Sequence, residues 1–122
     1  MELDIFKTID AISTRNKKLA FKFLHYHLRK GEKPATLFSV IKYQFRNLIQ
    51  VKDSLARGER IPQIKNKLEL SSFVLEKILR ISHKFKLEEL KRIYQKIFYF
   101  DLAIKTGKIE PDLALDLFLA EL

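Results

Sequence analysis

Glycine and proline each occur three times in the chain, always as a glycine followed within a few residues by a proline: Gly31 and Pro34, Gly58 and Pro62, Gly107 and Pro111. Glycine takes the left-handed backbone position that ends a helix, and proline fits the first turn of the next one. Neither residue interrupts any apolar-periodic segment, so the pairs read as stops and starts between helices. Between them apolar residues recur at helical spacing: Ile5, Phe6, Ile9 and Ile12; Leu19, Ala20, Phe23, Leu24 and Leu28; Leu37, Ile41, Phe45, Leu48, Val51 and Leu55. No segment alternates with the strand period over a useful length. The pattern predicts an all-α fold, a single bundle of about seven helices at 3–13, 17–30, 34–57, 62–68, 73–83, 87–106 and 111–120, with Asn16 and Ser71 or Ser72 as side-chain caps.

A length of 122 residues fits one domain spanning 1–122, and 47% hydrophobic residues supply a core. There is no cysteine, which excludes disulfides and thiolate metal sites. No apolar run approaches the roughly 18–20 residues that span a bilayer. The opening Met1-Glu2-Leu3-Asp4 lacks the basic-then-apolar order of a secretory signal, so a cytoplasmic location is expected. The net charge of +9 is unevenly placed: seven Lys/Arg stand between Arg15 and Lys33 against the single acid Glu32, whereas Glu110, Asp112, Asp116 and Glu121 follow Ile109 with no base. A basic body with an acidic last helix suits head-to-tail contacts between subunits, or is simply a solvated surface.

Catalytic constellations are missing. There is no nucleophile elbow and no glycine-rich phosphate loop. His25 and His27 point to different faces of a helix and His83 stands alone, so no metal site is expected. Glu88 and Glu89 open the sixth helix, where acids meet the positive end of its dipole; that is a structural role. No cofactor is expected, and the chain reads as a non-enzyme. The stretch 62–80 resembles a helix-turn-helix, with Lys65, Lys67, Lys77, Arg80 and Lys84 available for phosphates. Against that reading, Glu69 stands where such turns often hold glycine, and the second helix is short of side chains that read base edges. The alternative function is therefore a small DNA-binding regulator. A helical pair packed into the bundle fits better, with duplex DNA bound weakly and without sequence preference.

The sixth helix carries more apolar surface than one face needs. Leu90, Ile93, Ile97, Phe100 and Ile104 form one stripe; Leu87, Tyr94, Phe98 and Leu102 form another; Tyr99 widens the band. Such a helix is either central or covered by a partner. Tyr94, Phe98 and Tyr99 are expected to stay partly exposed as a protein interface. Asp101 interrupts the same run. Lys105, four residues on, is its local partner, Arg46 on the third helix a distant one, and solvent the third possibility.

The stretches Phe100–Gly107 and Glu110–Leu115 resemble the C-terminal signature of the delta subunit of bacterial DNA polymerase III. Phe6–Ala11 with Asn16–Ala20 is similar to that family's entry helices, Gln44–Lys52 to its central helix, and Phe73-Val74 with Lys77-Ile78 to its helix pair. The resemblance covers nearly the whole chain in order, with Glu69 as its departure. It implies a clamp-loader collar domain without the family's N-terminal AAA+-type region. That domain would assemble delta with the gamma (or tau) and delta-prime subunits for loading of the sliding clamp in DNA replication. Clamp and DNA would be reached only through the full-length complex. ATP hydrolysis would belong to gamma or tau, and polymerisation to another subunit.

Overall fold

The computed structural model describes residues 5–122, which fold into seven α-helices without a strand. They are α1 (Phe6–Ser13), α2 (Lys17–Arg29), α3 (Pro34–Ala56), α4 (Ile61–Leu68), α5 (Ser72–Ser82), α6 (Leu87–Lys105) and α7 (Pro111–Ala120). The expected start of the first helix at Leu3 lies outside the described residues, as does the opening Met1–Asp4.

Local chemistry sets the boundaries. Asn16 caps α2 by accepting from the Leu19 amide at 3.1 Å, and Ser71 caps α5 by accepting from the Val74 amide at 3.1 Å. Gly58 (φ 80°) and Gly107 (φ 74°) close α3 and α6 in the left-handed region. Two non-glycine residues enter it as well: Arg15 (φ 64°) between α1 and α2, and Glu69 (φ 54°, ψ 42°) at the end of α4.

The long α3 is the spine, with α5 and α6 packed along it and α4 and α7 at its flanks. Its buried residues Leu37, Phe38, Ile41, Phe45, Leu48 and Val51 meet Leu75, Ile78 and Ile81 of α5, Leu90, Ile93, Ile97 and Phe100 of α6, and Ala114, Leu115, Phe118 and Leu119 of α7 in one continuous core. Edge-to-face ring pairs lock the layers: Phe38 with Phe118 at 6.2 Å, and Phe45 with Phe85 at 5.9 Å. The α1–α2 hairpin leans on α5 through α1 and on α7 through α2. Arg15 ties its turn to the start of α6, forming an ion pair with Glu89. The other carboxylate oxygen of Glu89 accepts the Lys86 amide, so the residue serves as a cap and a tether.

Candidate functional site

Helix α6 is not the central helix of the bundle. Its inward stripe is sealed, with Leu90 and Ile97 fully buried and Ile93 and Phe100 nearly so. Its other side is left bare: Phe98 is 59% exposed, Tyr99 67% and Leu102 54%, while Tyr94 is half-buried. The α-helical period explains the split. Phe98 and Leu102, one turn apart, lie on the flank toward α3 but beyond its reach, and Tyr99 points away from the core with its ring edge-on to buried Phe100 at 5.2 Å. Tyr94 sits lower, in a shallow groove of about 300 Å³ that it lines with Arg46, Ile49, Gln50, Lys91 and Gln95.

This groove also reveals the register of the antiparallel α3–α6 pair. Arg46 and Gln50 stand level with Tyr94 and Lys91, so the residue of α3 level with Asp101 is Lys42, one turn before Arg46. Lys42 Nζ donates to Asp101 Oδ2 at 2.9 Å, and Lys105 Nζ reaches the same oxygen at 3.0 Å. The expected Arg46–Asp101 pair is therefore corrected: Arg46 is exposed and its place is taken by Lys42. Burial pushes the Asp101 carboxyl up, and the hydrogen bonds from Lys42 and Lys105 outweigh it, holding the group below the ordinary aspartate range.

The helix-turn-helix stretch is occupied with internal work. Lys67 is held by Ser54 at 2.8 Å and Glu59 at 2.7 Å, Lys84 by Asp10 at 2.7 Å, and Lys77 lies over the rings of Phe6 and Phe73. The Lys67 hydrogen bond, against a smaller opposing effect of burial, holds the Glu59 carboxyl below its ordinary range. Three of the five cations assigned to phosphates are thus engaged within the domain. The acidic last helix is also partly used internally, since Asp116 meets His25 of α2 at 2.9 Å. Among the described residues no three His, Asp or Glu side chains gather as metal ligands, and no helix is long and apolar enough to cross a membrane.

The described residues thus form an all-helical bundle with a closed core and a cluster of exposed apolar side chains on α6. Residues 2–122 match the family described as DNA polymerase III delta subunit, C-terminal domain, and the chain belongs to that family. It is 30% identical to the DNA polymerase III subunit delta of Bacillus subtilis over all 122 of its residues. It superposes on the solved Bacillus subtilis DNA clamp loader delta protein with a TM-score of 0.88 and 29% identity, covering 96% of this chain. The chain spans only about a third of these relatives, 35% of the first and 34% of the second.

Proposed function

We propose that this chain is the helical assembly module of a clamp-loader delta subunit and serves DNA replication by joining that subunit to its neighbours. The observation that carries the reading is the bare face of α6. Phe98, Tyr99 and Leu102 are exposed together on one helix, whereas Tyr26, Tyr43 and Phe73 are exposed on three different helices. Tyrosine and phenylalanine anchors of this kind give large apolar burial at low entropic cost, about 1.5–3 kcal/mol for each large side chain fully covered. The partners are the helical collar domains of gamma or tau and of delta-prime. The sliding clamp and DNA are reached through the rest of the full-length protein, in the cytoplasm. The module has no chemical step of its own; ATP hydrolysis and polymerisation belong to other subunits. The regulator reading is disfavoured by the internal engagement of Lys67, Lys77 and Lys84.

The test is co-elution on a sizing column with partner collar domains, for the native chain and for a Phe98→Asp, Tyr99→Asp variant. Native chain is expected to co-elute and the variant to elute alone, with unchanged circular dichroism and Tm. Co-elution undiminished in the folded variant would remove α6 from the interface.

A further inference from the structure

Helix α2 carries the largest uncompensated positive charge of the seven helices. It holds Lys17, Lys18, Lys22 and Arg29 with no Asp or Glu between Lys17 and Arg29. Lys18, Lys22, Tyr26 and Lys30 follow one another at four-residue intervals, and Arg29 lies beside the last of them. They form one outward ridge roughly 18 Å long at 1.5 Å per residue. All five side chains are exposed, Tyr26 to 49%. None of the four cations forms a salt bridge with a described residue, although cations on other elements do: Lys42 with Asp101, Lys67 with Glu59, Lys84 with Asp10 and Lys96 with Glu121. Lys30 Nζ instead lies 5.3 Å from the Tyr26 ring centre. Beside the ridge a groove of about 320 Å³ is walled by Lys7 of α1 and by Lys22 and Arg29, with Phe23, Tyr26 and His27 supplying aromatic surface. The nearest acidic helix, α7, packs against α2 along the edge of this ridge, where Asp116 meets His25, a neighbour of Lys22 and Arg29 one turn away on either side.

We propose that the outward ridge of α2, with Lys7, is a docking site for single-stranded nucleic acid. Four unpaired cations along a line match the regular negative charge of a phosphate backbone, and their counter-ions are released on binding. The aromatic ring in the middle of the line selects the single strand. An unpaired base offers a face to stack on Tyr26, whereas a duplex hides its bases and offers only phosphates. The surface is separate from the α6 face, because α7 lies between α2 and α6. The inference therefore stands or falls independently of the assembly role.

The experiment is fluorescence anisotropy of the chain with a labelled oligo(dT) of about twelve nucleotides, over a salt series from about 50 to 200 mM. Binding should weaken linearly in log–log form. Lys22→Ala should reduce the slope by about 0.7, the value of one phosphate contact on a single strand. Tyr26→Ala should lower affinity by roughly tenfold while leaving the slope unchanged, as loss of one stacked base predicts. Both side chains are exposed, so both variants should keep the native Tm. No binding at the lowest salt overturns the proposal. So does an unchanged affinity for Tyr26→Ala, which would reduce the ridge to a general polyanion surface. A duplex with the same number of phosphates that binds as tightly as the single strand overturns it too.

Discussion

Lys42 of α3 and Asp101 of α6 meet at 2.9 Å, and Lys105 reaches the same carboxylate oxygen at 3.0 Å from one turn further along α6. The carboxylate is 16% exposed and Lys42 30%, so this is a half-sheltered cross-helix bridge. It is screened less than a surface pair and costs less desolvation than a buried one. Lys42→Ala is expected to destabilise by about 1–2 kcal/mol, whereas exposed Arg46→Ala should stay within about 0.5 kcal/mol. A thermal double-mutant cycle should show coupling for Lys42 with Asp101 and additivity for Arg46 with Asp101. The reverse pattern would place the register of α3 against α6 one turn away.

The same carboxylate gives a pH signature. Its folded pKa is depressed, so between the folded and unfolded values the unfolded chain binds more protons and stability rises with pH. The contribution is complete above the ordinary aspartate value of about 4 and is lost as pH falls through the folded one. Urea midpoints measured between pH 6 and pH 2.5 should fall less steeply in the acid limb for Asp101→Asn than for the native chain. Parallel curves would show that the bridge does not form in solution.

Phe118 holds α7 to the spine through its edge-to-face contact with Phe38 and is fully buried. Phe118→Ala leaves a cavity beside Phe38, and the expected loss is about 3–5 kcal/mol. Against a typical total of about 5–15 kcal/mol this is large enough to lower the urea midpoint by about a fifth or more. A loss under about 1 kcal/mol would mean that α7 repacks or is dispensable.

Much of this architecture was legible in the residues, and the limits are instructive. Helix ends marked by Gly58 with Pro62 and Gly107 with Pro111 lie within a residue of where punctuation put them, because those residue types act through their own backbone. The turn at Arg15 has no such mark: an arginine occupies a left-handed position there, fixed by bonds to the Ile12 and Ser13 carbonyls and by Glu89, some seventy residues away in the chain. The bare face of α6 was visible as surplus apolar residues, since one inward stripe accounts for only part of them. The local partner of Asp101, Lys105, was legible from its four-residue spacing, but the cross-helix partner was not. Period alone shows which residues of α3 share a face, and only the packed register distinguishes Lys42 from Arg46.

Glu69 ends α4 with φ 54° and ψ 42°, a conformation that crowds the side chain of any residue but glycine. Glu69 is exposed, and its amide closes the helix by donating to the Asn66 carbonyl at 3.3 Å, a bond that needs no side chain. Glu69→Gly is expected to stabilise by about 0.5 kcal/mol, the relief of the left-handed strain exceeding the extra freedom of the unfolded chain. A lower Tm for this variant would assign the glutamate side chain a positive role.

Helix α7 closes the molecule: Lys17 Nζ donates to the Ala120 carbonyl at 2.9 Å, between residues 103 positions apart. The consequence is one of timing. Helices α1 and α2, joined by a three-residue turn, can associate as soon as both exist, whereas α7 must wait for nearly the whole chain before its seat on α2, α3 and α6 is complete. Until then Phe38, which meets Phe118, and Ala20, which lies beside Leu119, have no cover on that side. A nascent or truncated chain lacking α7 therefore presents an apolar trough to its surroundings, the kind of surface that chaperones hold and that aggregates grow from.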